Sequence, residues 1–136
     1  MSTATSQTGI GSLHDYIVSL VAQRWAKSMG CRVTINTASE ENRWTGGNRR
    51  YPDIVGWQFN PSRNTVEWIA EVETEESFSE LDAHGRWLDY TELGLPFYLF
   101  VPKGYRETAE LFARRASVKI NRVYEYAFVN DAFQLS

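Results

Sequence analysis

Apolar residues recur along this chain with two spacings, one typical of helices and one typical of strands. Leu13, Ile17 and Val21 are four residues apart, which predicts a helix from Ser12, as N-cap, to about residue 29, with Gly30 as its stop. Further along, apolar positions alternate with polar ones or form short apolar runs, which predicts strands. The predicted strands cover residues 31–37, 53–59, 66–74, 97–101 and 122–129.

Two more helices are predicted between these strands. One begins at Ser77 or Ser79 as N-cap and reaches about residue 93, with Leu81, Trp87 and Leu88 on its inward face. The other covers about residues 105–117. The run 97–101 is continuously apolar, which indicates a central strand. The order αβββαβαβ predicts an α/β domain whose mixed central sheet is flanked by helices.

Composition and charge support one globular domain. A chain of 136 residues with 43% hydrophobic residues is long enough to bury a core, so we assign 12–136 to a single domain and the small, polar residues 1–11 to a flexible N-terminal tail. No apolar run approaches the length of a membrane span. The single Cys31 cannot form an internal disulfide, which fits a cytoplasmic location. The net charge of −3 gives no general attraction to nucleic acid.

Three carboxylates are the main candidates for chemistry. Asp53 opens the second predicted strand, and Glu71 and Glu73 lie two residues apart on the third, so these two side chains share one face. If the strands are neighbours, the three groups converge and raise one another's pKa. Mg²⁺ removes that repulsion and uses one or two carboxylates plus waters and phosphate oxygens. The pattern therefore predicts metal-assisted phosphodiester hydrolysis, and the alternative is a half-exposed strand with acids on its solvent face.

The motif pair Pro52-Asp53 and Glu71-Val72-Glu73, placed on the second and third strands of an αβββαβ order, resembles the PD-(D/E)xK nuclease superfamily, whose fold is restriction-endonuclease-like. The likeness covers most of the chain, and the last helix and strand would form a C-terminal αβ extension. It implies that Asp53, Glu71 and the carbonyl of Val72 bind Mg²⁺ or Mn²⁺. The implied activity is hydrolysis of DNA.

Glu73 departs from the pattern of that superfamily, because most members have lysine at this position. By resemblance, Glu73 is a catalytic residue that can position or deprotonate the attacking water, but it cannot offset developing negative charge. The departure keeps an alternative open. In that alternative, the chain is a catalytically degenerate module that keeps the nuclease fold and binds nucleic acid or a protein partner.

The same resemblance extends to two helices. Asp15 matches an additional metal-binding acid on the first helix, although an aspartate there is equally explained by the positive helix end. Its neighbour His14 is better explained as a structural or surface histidine. On the helix that follows the third strand, His84 and Arg86 are candidates for contact with the scissile phosphate, although amphipathicity places Arg86 on the solvent side.

A basic loop directly precedes Asp53 and contains Arg43, Trp44, Arg49 and Arg50. Arginine forks suit phosphate oxygens, and an exposed indole stacks on an unpaired base with about 1–3 kcal/mol. We therefore predict that this loop contacts DNA, with RNA as a second candidate; the alternative is a solvated surface loop. A homodimer or a complex with another protein would supply the affinity that a net acidic chain lacks.

A second basic group lies far along the chain, and the sequence predicts a solvated face for it. Its members are Arg114, Arg115, Lys119 and Arg122.

Overall fold

The computed structural model describes residues 10–30, 32–37, 44, 50–58 and 65–136. These residues form a mixed α/β fold around one six-stranded sheet. The strands are β1 (Arg32–Ile35), β2 (Ile54–Trp57), β3 (Val66–Val72), β4 (Phe97–Pro102), β5 (Arg122–Val129) and β6 (Ala132–Leu135). The helices are α1 (Ile10–Arg24), α2 (residues 80–91) and α3 (Arg106–Ala116), and a 3₁₀ turn follows α1 at Ala26–Met29.

The strands follow chain order across the sheet, from β1 at one edge to β6 at the other. The β3–β4 and β4–β5 pairs are parallel, and the β1–β2, β2–β3 and β5–β6 pairs are antiparallel. Helix α2 connects β3 to β4, and α3 connects β4 to β5. The central position predicted for β4 is confirmed, because Phe97, Leu99 and Phe100 on this strand have no exposed surface.

Each face of the sheet has its own apolar core. On β3, Trp68, Ala70 and Val72 belong to the core beneath α1. Ile69, which points to the opposite face, belongs to the core beneath α2 and α3. Alternation of side chains along the strand produces this division. Glu71 has the same parity as Ile69, so the predicted site lies on the face that α2 covers.

Helix α1 differs from its prediction at both ends. It begins at Ile10, so Ser12 lies within the helix rather than at its N-cap. The α-helix ends at Arg24, and the 3₁₀ turn then continues to Gly30, whose φ of +70° ends the segment as predicted. Residues 1–9 of the predicted tail, like Cys31, lie outside the described residues.

Strand β6 was absent from the prediction. The chain reverses at Asn130 and Asp131, whose φ angles of +52° and +63° match the two central residues of a type I′ turn. Val129 then pairs with Ala132, and the hairpin extends the C-terminal part of the sheet.

Helix α2 contains a five-residue π-helical segment, Ala83–Trp87, in which the amide of Leu88 donates to the carbonyl of Ala83. The helix begins as predicted at Ser79, whose hydroxyl accepts a hydrogen bond from the Asp82 amide. The prediction that Leu81 faces inward is wrong, because its side chain is 83% exposed. The extra residue in the π turn shifts the buried face, and Trp87 rather than Leu81 fills the core.

None of the helices in the described part of the chain has the length and apolar character needed to cross a membrane.

Candidate functional site

Asp53 and Glu71 are brought together by the β2–β3 pairing. Ile54 pairs with Ala70, which places the preceding Asp53 beside Glu71 on the neighbouring strand. The Asp53 amide donates to Glu71 Oε2 at 2.8 Å, and the Val72 amide donates to Asp53 Oδ2 at 2.8 Å. Each carboxylate therefore accepts a backbone hydrogen bond from the strand that carries the other, so neither is free to turn away.

The turn before β2 is held by Asn36 at the end of β1. Its amide donates to the Asp53 carbonyl at 2.9 Å, and its side-chain Nδ2 donates to the Pro52 carbonyl at 2.6 Å. Asn36 is itself buried, so its polar groups need these partners. The backbone at Pro52-Asp53 is thereby fixed on both sides, a role that sequence analysis did not assign to Asn36.

His14 of α1 contacts Asp53, one member of the carboxylate pair. Its Nε2 lies 3.0 Å from Asp53 Oδ2, and its Nδ1 lies 3.2 Å from Asp15 Oδ1. Burial lowers the pKa of His14, but hydrogen bonds and charge from Asp53 and Asp15 outweigh this effect and raise the pKa to about 9. His14 is thus an imidazolium at neutral pH and a direct partner of Asp53. Asp15, predicted as a metal ligand, contacts the other ring nitrogen of this histidine and so lies on the far side of the imidazole from Asp53.

Glu71 is completely buried. Burial raises the pKa of Glu71 well above its ordinary value, and the charge of Asp53 raises it further, whereas Arg86 lowers it. Arg86 Nη1 lies 3.4 Å from Glu71 Oε1, and the Arg86 side chain retains 38% of its exposure. The predicted solvent-facing position of Arg86 is therefore right in part, because this guanidinium lies between the buried carboxylate and solvent.

Glu73 is equally buried, but its side chain is directed to other partners. Ser77 Oγ donates to Glu73 Oε1 at 2.7 Å, and Trp87 Nε1 donates to Oε2 at 2.9 Å. Burial raises the pKa of Glu73 to about 8, with the Trp87 hydrogen bond opposing the rise and the charge of Asp82 adding to it. The three predicted acids thus separate into two groups. Asp53 and Glu71 form a closely linked pair, whereas Glu73 is hydrogen-bonded to α2 and to the turn before it.

The backbone of Glu73 is also held in an unusual way. Its amide donates to the Phe100 carbonyl at 2.9 Å, which continues the parallel β3–β4 pairing. In that pattern the Glu73 carbonyl would accept from residue 102, but Pro102 has no N–H. The buried hydroxyl of Tyr126 donates to the Glu73 carbonyl at 2.8 Å instead. A strand two positions across the sheet therefore fixes the end of β3.

The π-helical segment of α2 brings consecutive side chains to the two glutamates. Arg86 contacts Glu71, and Trp87 contacts Glu73. Tyr90, one turn further, is buried at 1% exposure, and burial together with the charges of Glu71 and Asp53 raises its pKa, which keeps the hydroxyl neutral. π-helical insertions are frequent at functional sites, and this one lies directly over the acids.

Arg50, predicted to contact nucleic acid, forms an ion pair with Asp89 of α2. Its Nη2 also lies against Gly85, since a Cβ added to this glycine would be 3.6 Å away. The Arg50 side chain is 41% exposed, so the pair lies at the surface. Arg43 and Arg49, from the same predicted loop, lie outside the described residues.

Two further predicted nucleic-acid contacts lie away from the carboxylate pair. The Trp44 ring is half-buried and meets Trp57 edge-on, with centroids 6.3 Å apart. His84 is half exposed, and its Nε2 lies 3.7 Å from Glu80 Oε2 on the same helix. His84 thus faces a different side of α2 from Arg86.

Two carboxylates, Asp53 and Glu71, are placed where they could bind a metal ion together. Across the residues that the structure describes, no three His, Cys, Asp or Glu side chains are arranged to hold an ion by themselves. Asp53 and Glu71 do match the manner in which Mg²⁺ commonly binds, through one or two carboxylates with waters and substrate oxygens completing the shell. Burial and the nearby Asp53 raise the pKa of Glu71, so negative charge at this position needs a compensating positive charge. His14 and Arg86 offset part of that charge.

Comparison of the chain with protein-family models, with curated proteins and with solved structures finds no match. A functional proposal therefore rests on the chemistry of Asp53, Glu71 and the side chains around them.

Proposed function

We propose that this protein is a Mg²⁺- or Mn²⁺-dependent nuclease that hydrolyses phosphodiester bonds of DNA at Asp53 and Glu71. The proposal includes membership of the PD-(D/E)xK superfamily, with the segment from α1 to β4 as the αβββαβ core and the segment from α3 to β6 as the C-terminal extension. The observation that carries it is the buried pair of carboxylates from adjacent strands, linked by reciprocal backbone hydrogen bonds. Such a pair places two fixed carboxyl groups side by side at one end of two adjacent strands.

Asp53 and Glu71 would hold the metal, together with the carbonyl of Val72, a residue whose amide already donates to Asp53 Oδ2. When bound, the metal would supply an acidified water and polarise the scissile phosphate. Asp15 would be an additional ligand from α1. His14 would exchange its contact with Asp53 Oδ2 for a position beside the substrate or the bound water.

Glu73 and Arg86 would divide the work that lysine performs in most members of the superfamily. The pKa of Glu73, about 8, lies near the pH at which a general base is effective, so this residue would position or deprotonate the attacking water. To do so, Glu73 must give up its hydrogen bond to Ser77 or to Trp87. Arg86, which cannot act as a base, would offset the charge that develops on the phosphate.

Nucleic acid would approach across α2, because the partly exposed guanidiniums of Arg86 and Arg50 both lie along this helix. Further contacts with the nucleic acid would come from Arg43, Trp44, Arg49 and His84. Since the chain has a net charge of −3, local guanidiniums rather than the overall charge would attract the polyanion.

The test is cleavage of single-stranded, double-stranded and branched DNA with Mg²⁺ or Mn²⁺. Asp53→Asn and Glu71→Gln keep the shape of each side chain and remove its charge, so each should lower the cleavage rate by roughly 100-fold or more. The matched control is Glu107→Gln, which removes an exposed carboxylate from α3. Equal cleavage by all four proteins, with circular dichroism showing that they are folded, would refute the assignment.

A catalytically degenerate module is the second candidate. It is favoured by the hydrogen bonds that engage both oxygens of Glu73. Calorimetric titration with Mg²⁺ and Mn²⁺ separates the two functions. Retained DNA affinity without metal binding at millimolar concentration would support the module, whereas metal binding that requires Asp53 and Glu71 would support the nuclease.

A further inference from the structure

A second candidate site lies two strands across the sheet from the carboxylates. A groove of about 610 Å³ is formed by α3 and the first residues of β5. Strands β3, β4 and β5 are parallel neighbours; Arg122, the first residue of β5, pairs with Tyr98, and Tyr98 pairs with Ala70, the residue before Glu71. The groove is therefore separated from Glu71 across the sheet, by the two strand spacings from β3 to β5.

The groove is cationic on a protein that is acidic overall. Arg106, Arg114 and Arg122 line it, together with a single carboxylate, that of Glu110. The whole chain carries a net charge of −3, so three arginines against one acid are a local concentration of positive charge. This local charge suits an anionic ligand.

The three guanidiniums differ in how they are held. Arg106 donates to the Val123 carbonyl at 3.2 Å and to the Ser136 carbonyl at 2.7 Å, which fixes it at the edge of the groove. The Arg122 guanidinium lies over the ring of Tyr124, 4.7 Å from its centroid. Among the described residues, neither Arg114 nor Arg122 has an ion-pair partner. Two positive charges therefore remain available for a phosphate.

The remaining wall of the groove is apolar and carries one amide. Val118, Ile120 and Val123 supply aliphatic surface. Asn121 Oδ1 accepts a hydrogen bond from the Phe97 amide at 3.4 Å, which orients the side chain so that its NH₂ group is the part left for a ligand. The groove therefore combines phosphate-binding cations, a hydrogen-bond donor and a surface on which a flat ring can pack.

We propose that this groove binds a nucleotide unit, with its phosphate on Arg114 and Arg122 and its base or sugar against Val118 and Ile120. Its volume lies within the range of about 300–1,000 Å³ that is usual for small-ligand sites. The unit can be a free nucleotide or one residue of a nucleic-acid strand, since both present the same phosphate and ring. Binding here does not require a metal or the carboxylates, so it stands independently of the proposed nuclease activity.

The experiment is a titration of the full chain in EDTA with two probes. Thymidine monophosphate is followed by calorimetry, and a fluorescein-labelled oligothymidylate is followed by anisotropy. Arg114→Ala combined with Arg122→Ala should weaken binding by about tenfold for each guanidinium removed. The control is Arg115→Ala, which removes the adjacent arginine, whose Nη1 contacts Glu80 at 3.3 Å instead of the groove. This control should bind within about twofold of the parent.

The two probes identify the source of the ligand. Binding of the monophosphate indicates a free nucleotide site, and binding of the oligonucleotide alone indicates a site for a strand. Changes in the amide NMR chemical shifts of Asn121 and Val123 during titration would place the ligand in the groove. The proposal is overturned if neither probe binds at millimolar concentration, or if the double variant binds as well as Arg115→Ala. Asp53→Asn should retain this binding, so failure of the nuclease proposal and failure of the groove are distinguishable.

Discussion

The two faces of β3 are buried to the same degree but are chemically unlike. Trp68 and Val72 point toward α1 and pack in an aromatic and aliphatic core, whereas Ile69, Glu71 and the following Glu73 point toward α2. Apolar burial stabilises the first face by about 25 cal/mol for each Å² removed from water. On the second face, burial raises the pKa of both glutamates, which means that their charged forms are disfavoured.

The buried acids on the α2 face occupy positions where apolar residues would stabilise the fold more. Replacing a buried ionic cluster by well-packed apolar residues is often neutral or stabilising, so acids kept at such positions are candidates for function. His14 and Arg86 reduce the cost by bringing positive charge to Asp53 and Glu71. The apolar core beneath α1 is therefore expected to govern stability, whereas the acids facing α2, together with His14 and Asp15 of α1, are expected to govern chemistry.

Trp25→Ala should give the largest loss of stability. The Trp25 ring lies at the centre of the α1 core, with the Phe100 ring at 4.9 Å and the Trp68 ring at 5.1 Å between centroids. Removing a buried tryptophan should lower the free energy of unfolding by about 3–5 kcal/mol, measured by urea denaturation. Leu81→Ala, at an exposed position of α2, is the control and should change it by less than about 0.5 kcal/mol. Similar values for the two variants would contradict the assignment of the core.

Gly56→Ala should have the next largest effect, because β2 approaches the Trp68 ring closely. A Cβ at Gly56 would lie 2.1 Å from Trp68 Cε2, so the ring or the strand must move. We expect a loss of about 1–3 kcal/mol in the free energy of unfolding. Gly85→Ala on the α2 face is the matched control, since its added Cβ would have its nearest contact at 3.6 Å and alanine favours a helix. A loss at Gly85 equal to that at Gly56 would show that close packing is not peculiar to the α1 face.

Glu73→Gln should change how stability depends on pH. The pKa of Glu73 is about 8 in the folded protein and 4.5 as a free side chain, so the unfolded chain ionises first as pH rises. The free energy of unfolding should therefore fall between pH 4.5 and pH 8 and then level off. His14 acts in the same direction, because its stabilisation is complete below pH 6.5 and is lost as pH rises through about 9.

Removing the Glu73 carboxylate should flatten this decline by up to about 1.4 kcal/mol for each pH unit, measured by thermal or urea denaturation across the pH range. Glu107→Gln, which alters an exposed acid, should leave the slope unchanged. A parent protein that becomes more stable as pH rises from 5 to 8 would contradict the buried, neutral state of Glu73.

Arg50→Ala should have the smallest effect. Both partners of the Arg50–Asp89 pair retain about two-fifths of their exposure, at 41% and 38%. Exposed ion pairs contribute less than about 1 kcal/mol and weaken as salt is added. A double-mutant cycle with Asp89→Ala, measured at low and high salt, determines this coupling. Coupling of several kcal/mol that salt does not reduce would mean that the pair is part of the buried site.

The meeting of Asp53 and Glu71 was predicted from side-chain alternation and strand order, on the condition that the two strands are neighbours. Alternation fixes which face each side chain takes, and two successive strands pair with a register that places the first residue of one beside the acid of the other. The predicted helices and central strand follow from the same periodicities. Strand β6 was missed although Asn130-Asp131 is a recognisable turn signal and the residues after it alternate.

The surroundings of the pair were not predictable from such patterns. The contact of His14 with Asp53 depends on where α1 lies on the sheet, and residues 14 and 53 are distant in sequence. The positions of Arg86 and Trp87 depend on the π-helical segment, for which a 3.6-residue period gives no signal. That same segment made the inward position of Leu81 wrong.

Binding of Mn²⁺ tests the central claim most directly, because it reports on the site without assuming a substrate. Electron paramagnetic resonance of the full chain should detect bound Mn²⁺ with the parent protein. Asp53→Asn and Glu71→Gln should each weaken that binding by at least about tenfold, while Glu107→Gln should leave it unchanged. Identical binding by all four proteins, or no binding by the parent at millimolar Mn²⁺, would show that the buried pair does not serve to hold a metal.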